Sequence, residues 1–286
     1  MMPDHRKAQI TELTTPLQGT IHSPAERDLG FVLTGGGARG AYQVGVLSWI
    51  AERYPDLHVP IVTGVSAGAV NAAKIAAHHG TFRQAVEELT SLWNELTPDK
   101  IFRVDPGTLF GTAMRWGLRL MSGGGALSHQ NTRGFLDTQP LRELLEEVLV
   151  PVDGKIVGID YNLSRGWLKA LAIIATSYST GQTFAFIQGR NVKTWSRPQR
   201  VTVMTDITVE HVMASAALPI FFPAVRLDNM WFGDGGIRLT APLSPALHLG
   251  ANRILAISTR YDRSQVESDI PQVVGYPPPV QVLGTL

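Results

Sequence analysis

The chain has 286 residues, a formal net charge of +1, 44% hydrophobic residues and 17% charged residues. This composition fits a globular protein with a sizeable core, and the balanced charge gives no sign of nucleic-acid binding. The sequence contains no cysteine, which excludes disulfide bonds, thiolate metal sites and a cysteine nucleophile.

The first 28 residues are polar and mixed in charge, so the sequence predicts an N-terminal tail there and not a secretion signal. No uninterrupted apolar run reaches the roughly 18 residues that span a bilayer. The folded domain is predicted over 29–262, and we expect the C-terminal segment, 263–286, to be incomplete in this chain. These features predict a cytoplasmic protein that contacts a membrane only at its surface.

Short apolar runs that end at turn residues predict strands at 29–34, 58–64, 229–236 and 253–259, and two more within 169–189. Apolar residues at helical spacing predict helices at 41–53, 67–80, 81–96, 137–149 and 208–219. The first helix is apolar on nearly all sides, so we expect it to be largely covered. Gly80 is predicted to end the second helix, and Thr81 and Gln84 to form a capping box in the third. This alternation predicts an α/β fold with a central, mostly parallel sheet.

A glycine loop joins the first strand to the first helix. Gly35, Gly37 and Gly40 fit the spacing G-x-G-x-x-G of a dinucleotide-binding turn. Such a site needs an acidic residue about 20 positions later, at the end of the second strand, to hold the ribose hydroxyls. That strand ends in GVSAG, residues 64–68, without a carboxylate. A nucleotide-dependent oxidoreductase stays open as an alternative, but the missing acid counts against it.

The GVSAG segment has the pattern of a nucleophile elbow. In G-x-S-x-G between a strand and a helix, the serine, here Ser66, lies at the apex of a strained turn. Gly64 and Gly68 leave room for the backbone to double back and for a substrate to approach. The N-terminus of the following helix favours the negative charges that develop during acyl transfer. The sequence therefore predicts Ser66 as a nucleophile.

A serine nucleophile needs a base, and the sequence offers two arrangements. His248 has the chain order of a Ser-Asp-His triad, although it lies where a helix leads into a strand. The alternative is a dyad in which a carboxylate takes the serine proton directly. Asp234, in a turn beside Gly235 and Gly236, suits that task. The Asp-Gly pair at Asp153 indicates first of all a hairpin turn.

An acyl-transfer site also needs backbone N–H groups that converge on the negative oxygen of the intermediate. A glycine run ahead of a helix supplies such groups, so Gly35, Gly36 and Gly37 are predicted to form the oxyanion hole. Arg39 is predicted to hold this loop or to attract an anionic head group; its alternative role is that of a solvated charge at the start of the helix.

These motifs resemble, in their order and separation, those of the patatin-like phospholipase family: GGGARG at 35–40, GVSAG at 64–68 and DGG at 234–236. The segments ATSYSTGQTFAF (175–186) and ASAALPIFFPAV (214–225) are also typical of that family. The resemblance covers roughly residues 29–260. It implies a three-layer α/β/α fold and hydrolysis of lipid acyl esters by Ser66 as nucleophile and Asp234 as base, with no metal or other cofactor.

The segment 98–135 matches none of these motifs. It carries an apolar stripe at helical spacing beside a basic pair: Phe110, Met114, Leu118 and Met121, with Arg115 and Arg119. The pattern favours an amphipathic helix packed on the core, and a lid that meets anionic lipid is the second interpretation.

The sequence thus predicts a serine hydrolase that acts on a lipid or phospholipid through an acyl-enzyme. Two alternatives stay open. One is an esterase for small esters, and the other is a lipid-binding or regulatory protein that keeps the fold with little turnover. Head-group and chain-length preference depend on the volume of the pocket.

Overall fold

The computed structural model describes residues 28–104, 136–238 and 242–259. The strands within them are β1 Leu29–Leu33, β2 Ile61–Val65, β3 Ala170–Ser177, β4 Thr183–Gly189, β5 Ser196–Arg197, β6 Arg200–Met204, β7 Val225–Leu227, β8 Met230–Asp234 and β9 Arg253–Ile257. The helices are α1 Gly40–Arg53, α2 Ala67–Ala77, α3 Phe82–Asn94, α4 Gln139–Leu149, α5 Val157–Arg165, α6 Val209–Ala216 and α7 Ser244–His248.

The strands form one mixed sheet, whose main path runs β5-β6-β4-β3-β2-β1-β9. The four strands β9, β1, β2 and β3 are mutually parallel, and β4 joins β3 in the antiparallel direction. The predicted α/β fold with a mainly parallel centre is therefore confirmed. Because parallel strands end at the same edge of a sheet, the loops after β1 and β2 lie side by side.

One edge of β3 is shared by two strands that meet end to end. β2 pairs with β3 as far as Val65, opposite Ile174. From the next residue of β3 onward, that edge pairs with the antiparallel strand β8, whose last residue, Asp234, lies opposite Ala175. The other edge of β3 is occupied by β4. The C-terminal ends of β2 and β8 therefore face each other.

Both faces of the sheet are buried, which produces the layered architecture. On one face Phe31, Leu33 and Leu171 pack against the apolar sides of helices α1 to α6. On the other face Val32 and Ile174 belong to a smaller cluster with Ala246 of α7. Alternation along each strand assigns neighbouring residues to opposite layers, and burial on both faces explains why the strands are continuously apolar.

The structure corrects two expectations about the helices. α2 ends at Ala77, because His78 is already extended with ψ 132°, and Gly80 does not have the left-handed backbone of a helix-ending glycine. α1 is not covered on most sides, since Tyr42 and Trp49 are more than half exposed. The capping box of α3 is confirmed: Thr81 Oγ1 accepts from the Gln84 N–H, and Gln84 Oε1 accepts from the Thr81 N–H.

Several predicted segments lie outside the described residues. They are most of the N-terminal tail, the amphipathic stripe with its basic pair at 110–121, and the C-terminal segment 263–286. The domain limits 29 and 262 stay a prediction. Within the ranges that the structure describes, no helix is long and apolar enough to cross a membrane.

Candidate active site

Ser66 occupies a strained turn between β2 and α2. Its backbone has φ 54° and ψ −127°, in the positive-φ region that non-glycine residues rarely adopt. Both neighbouring glycines are required by close packing. A Cβ at Gly64 would lie 2.5 Å from the Gly68 carbonyl oxygen, and a Cβ at Gly68 would overlap the Leu33 carbonyl oxygen. The G-x-S-x-G pattern therefore forms the elbow that the sequence predicts.

The hydroxyl of Ser66 donates a hydrogen bond to the carboxylate of Asp234. The distance from Ser66 Oγ to Asp234 Oδ2 is 2.6 Å. The second carboxylate oxygen, Oδ1, accepts from the Gly236 N–H at 2.7 Å, which fixes the orientation of the carboxylate. Both side-chain positions are buried, with 5% of each residue exposed. The serine and the aspartate are 168 positions apart, and the meeting of β2 and β8 brings them together.

The turn after Asp234 is glycine for a steric reason. A Cβ at Gly235 would overlap the carbonyl oxygen of Ile174, so only a residue without a side chain can follow Asp234 so closely against β3. Residues Gly235–Ile237 form a single turn of 3-10 helix, and the Gly236 N–H donates to the Asp234 side chain, which caps that turn. The DGG motif thus places the carboxylate and supplies one of its donors.

Burial sets the electrostatics of Asp234. It raises the pKa of the carboxyl above its ordinary value of 3.8, and the hydrogen bonds from Ser66 and from the Gly236 N–H offset part of that rise. Burial, together with the nearby Asp234 charge, also raises the pKa of the Tyr178 phenol. An ionised Asp234 is therefore a stronger base than a solvated aspartate, which is the property needed to take a proton from a serine.

Ser215, in α6, holds the backbone of the candidate nucleophile. The Ser66 N–H donates to Ser215 Oγ at 2.9 Å, and Ser215 Oγ donates to the Ile174 carbonyl at 2.6 Å. Ser215 is fully buried. The sequence offers no spacing rule that pairs the two serines, although Ser215 lies in the segment 214–225 that is typical of the resemblance. Sequence analysis missed its contact with Ser66.

The glycine loop lies directly against Ser66. A Cβ at Gly35 would be 3.0 Å from Ser66 Cβ and 3.7 Å from its Oγ. Gly37 has φ 56°, which glycine adopts without strain. The Arg39 N–H and Nε both donate to the Gly36 carbonyl, at 3.2 and 3.4 Å, so Arg39 braces the loop. No acceptor among the described residues takes the N–H of Gly36 or Gly37.

A network of buried and partly buried polar side chains connects this loop to the helices beside it. Trp93 Nε1 donates to Asn71 Oδ1 at 2.7 Å, Asn71 Nδ2 donates to Gln43 Oε1 at 3.0 Å, and Gln43 Nε2 donates to the Thr34 carbonyl at 2.6 Å. The Trp93 ring also occupies the space that a Cβ at Gly40 would need. Helices α1, α2 and α3 are thereby tied to the residue that precedes Gly35.

A family model described as Patatin-like phospholipase matches residues 31–247, which is more than half of the chain and includes all three motifs of the site. The chain belongs to the patatin-like phospholipase family.

Two curated relatives carry the names of a phospholipase and a lysophospholipase. The chain is 29% identical over 221 residues to a cGAMP-activated phospholipase of Pseudomonas aeruginosa, a match that covers 76% of this chain and 54% of that protein. It is 35% identical over 89 residues to Lysophospholipase nte1 of Aspergillus terreus, covering 28% of this chain and 6% of that protein. The patatin-like chain thus spans about half the length of the first relative and a small part of the second.

Solved structures show remote similarity. VipD from Legionella pneumophila superimposes with a TM-score of 0.42 at 16% identity, over 75% of this chain and 46% of that one. Human GIVD cytosolic phospholipase A2, in complex with methyl γ-linolenyl fluorophosphonate, gives a TM-score of 0.40 at 15% identity, over 81% of this chain and 39% of that one.

The rival residues of this patatin-like chain have other partners. His248 is exposed and its ring stacks on Trp195 with centroids 4.5 Å apart, whereas Ser66 already donates to Asp234. Asp153 has φ 50° in the two-residue turn between Val152 and Lys155, as its Asp-Gly pair predicts. The triad alternative therefore has no geometric support.

A cavity of about 580 Å³ lies away from this site, at the C-terminal end of α2, where Leu57, His79 and Trp167 contribute to its walls. Ser66 lies at the opposite end of the same helix. The cavity therefore does not form part of the candidate active site.

Proposed function

We propose that this chain is a serine acyl hydrolase that cleaves carboxylic esters of lipids. The observation that carries the proposal is the 2.6 Å hydrogen bond from Ser66 Oγ to Asp234 Oδ2 at the apex of a strained elbow. Membership of the patatin-like phospholipase family and the names of the two relatives support a lipid ester as the substrate.

In the proposed mechanism, Asp234 takes the proton of Ser66 as Oγ attacks the ester carbonyl carbon. The negative oxygen of the tetrahedral intermediate accepts hydrogen bonds from the N–H groups of the Gly35–Gly37 loop. The C–O bond to the alcohol then breaks, Asp234 returns the proton to the leaving oxygen, and the acyl group remains on Ser66. Asp234 next activates a water molecule, which releases the fatty acid and restores the hydroxyl of Ser66.

Access for a lipid is supported by an apolar rim beside the dyad. The Asp234 N–H donates to the Ala217 carbonyl, and the loop that follows Ala217 exposes Leu218, Ile220 and Phe221. Ile237, two residues after the 3-10 turn begins, is exposed as well. Exposed apolar side chains next to a buried nucleophile suit contact with acyl chains at a lipid surface. We propose this rim as the surface that meets the membrane.

The dyad is tested by covalent labelling with a long-chain alkyl fluorophosphonate, followed by mass spectrometry of the intact protein and of its peptides. We expect one adduct, on Ser66, and no adduct on Ser66→Ala. Hydrolysis of p-nitrophenyl esters should fall by at least about 10³-fold in Ser66→Ala, because the members of one catalytic unit fail together. His248→Ala is the control and should retain the wild-type rate.

Three outcomes would contradict parts of the proposal. An adduct on another residue, or full turnover by Ser66→Ala, would overturn the dyad. Labelling of Ser66 without turnover of any ester would favour a lipid-binding or regulatory protein. Turnover of p-nitrophenyl butyrate with none of the palmitate ester or of phospholipid would favour the small-ester esterase.

A further inference from the structure

Thr259, two residues after β9, lies against the glycine loop on the side opposite Ser66. Its hydroxyl donates to the Gly35 carbonyl with a distance of 2.5 Å, and its backbone N–H donates to Thr34 Oγ1 at 3.3 Å. Only 7% of the residue is exposed. No sequence motif includes Thr259, which is 224 positions away from the carbonyl that it binds.

The side chain of Thr259 also explains why residue 36 is glycine. A Cβ at Gly36 would overlap Thr259 Oγ1 and would lie 2.9 Å from Thr259 Cβ. The backbone of Gly36 is extended, with φ 167°, so any residue could adopt that angle and the requirement for glycine is steric. Thr259 therefore fills the space next to the loop that a side chain at position 36 would need.

The hydrogen bond to Gly35 fixes the direction of the next N–H. In a trans peptide the carbonyl of one residue and the N–H of the following residue point in opposite directions, and no cis peptide occurs in the described part of the chain. The Gly35 carbonyl points to Thr259, so the Gly36 N–H points away from Thr259. Because β1 lies between β2 and β9 in the sheet, the loop after β1 lies between Ser66, which follows β2, and Thr259, which follows β9. The Gly36 N–H therefore points towards the side of Ser66.

Thr259 holds the peptide between Gly35 and Gly36, whereas the peptides on either side of it are held by other residues. The preceding carbonyl, of Thr34, accepts from Gln43 Nε2, and the following carbonyl, of Gly36, accepts from Arg39. Among the residues that the structure describes, the second donor to the Gly35 carbonyl is Thr34 Oγ1, at the longer distance of 3.5 Å. Two glycines flank this peptide and present no side chains, so the backbone can rotate unless an outside group holds it.

We propose that Thr259 is a positioning residue for the oxyanion hole. Its hydroxyl holds the Gly35–Gly36 peptide with the Gly36 N–H directed at the acyl carbonyl on Ser66, and it does not itself contact the substrate. The inference rests on the proposed function, in which the glycine loop stabilises the tetrahedral intermediate. Without the hydroxyl the peptide turns in part of the molecules, and those molecules lack one donor in the transition state.

The test compares Thr259→Val, which replaces the hydroxyl by a methyl group, with Thr259→Ser, which keeps it. Loss of one oxyanion donor costs about 10²- to 10³-fold in kcat, so partial misorientation should lower kcat of Thr259→Val by about 10- to 100-fold on p-nitrophenyl butyrate. KM should stay within about threefold, because the bond acts on the transition state. Thr259→Ser should recover most of the wild-type kcat.

Thr202→Val is the matched control. The Thr202 hydroxyl also donates to a backbone carbonyl, that of Trp195 at 2.6 Å, but it lies on β6 near the other edge of the sheet. We expect Thr202→Val to have a lower free energy of unfolding than the wild type and the same kcat. An unchanged kcat in Thr259→Val, or an equal loss in Thr259→Ser, would overturn the inference.

A crystal structure of Thr259→Val separates this inference from the proposed function. We expect the Gly35 carbonyl to leave its wild-type position in Thr259→Val and to keep it in Thr259→Ser. If the wild type hydrolyses no ester, the proposed function fails, and the position of this carbonyl still tests the orienting role of Thr259. A Gly35 carbonyl that stays in place in Thr259→Val overturns that role.

Discussion

The burial of Asp234 makes its carboxylate a stronger base, but it also lowers the stability of the fold when that carboxylate is ionised. Burial raises the pKa of its carboxyl, so the folded chain binds more protons than the unfolded chain at pH values between the two pKa values. The stability that this group contributes is therefore present below about pH 3.8 and is lost as the pH rises through the folded pKa. When Asp234 is ionised, the fold carries a buried charge, and among the described residues the donors that partly compensate it are the Ser66 hydroxyl and the Gly236 N–H.

Asp234→Asn should accordingly lose activity without losing stability. The amide keeps the shape and an acceptor for the Gly236 N–H, but it cannot take a proton from Ser66. We expect a fall in kcat/KM of at least about 10³-fold. We also expect a free energy of unfolding at pH 7, measured by urea titration, that equals or exceeds the wild-type value.

Asp206→Asn is the control, because Asp206 pairs with Lys155 at the surface, and this variant should keep the wild-type activity. For the wild type, kcat/KM should fall as the pH drops through the pKa of Asp234, which burial raises above the ordinary value of 3.8. An active Asp234→Asn variant would contradict the role of base, and a marked loss of its stability at pH 7 would contradict the electrostatic argument.

At the level of residues, the sequence predicts those that belong to short motifs and misses those that act from distant elements. The turn chemistry of Gly64, Ser66 and Gly68 follows from local spacing, and so does the Asp-Gly-Gly turn. The hydroxyl of Ser215 binds the backbone of Ser66 from 149 positions away, and the hydroxyl of Thr259 binds the carbonyl of Gly35 from 224 positions away. A lone serine or threonine has no pattern that marks such a role.

At the level of elements, sequence analysis predicts the helices and strands that have a clear hydrophobic pattern, a capping motif or glycines at their ends. The capping box of α3 is one example, and the glycine-bounded strand β1 is another. The strands β5 and β7 are short, with two and three residues, and α5 is a nine-residue helix with mixed polarity. Such elements form because neighbours in the sheet and the core hold them, and sequence analysis did not predict them.

The first turn of helix α6 contains a histidine, His211, that should make stability depend on pH. His211 closes a capping box with Thr208, its Nδ1 accepts from the Thr208 N–H, and its ring packs edge-on against Phe186. Burial lowers the pKa of His211 from 6.5 to about 4, although the charge of Asp228 opposes this shift. The unfolded chain therefore binds a proton at pH values where the folded chain does not.

The stability that neutral His211 contributes is complete above pH 6.5 and is lost as the pH falls towards 4. At about 1.4 kcal/mol per pKa unit, the loss amounts to roughly 3 kcal/mol. His211→Gln keeps an acceptor for the capping box and removes the titration, so its free energy of unfolding should change less over this range. We expect the exposed His79→Gln variant to follow the wild-type curve. Parallel curves for the wild type and His211→Gln would contradict this account.

At the level of the whole molecule, the site arises from the sheet topology. Ser66 follows β2 and Asp234 ends β8. Both strands pair with the same edge of β3, and because they run in opposite directions their C-terminal ends meet. The sequence predicts both strands and both motifs. It does not predict that β8 continues the path of β2, since strand pairing between distant segments depends on side-chain packing across the sheet. The glycine turn around Asp234 makes it a candidate base, and the resemblance to a family, not the strand pattern, favours the pairing of Ser66 with Asp234 over the triad.

Product release from mixed phospholipid vesicles tests most directly whether the Ser66–Asp234 dyad hydrolyses lipid esters. Wild type and Ser66→Ala are incubated with vesicles of phosphatidylcholine, phosphatidylethanolamine and phosphatidylglycerol, and the lipids are identified by mass spectrometry. We predict that fatty acid and lysolipid appear with the wild type and not with Ser66→Ala. Equal products from both proteins, or no products from either, would contradict hydrolysis of lipid esters by the dyad.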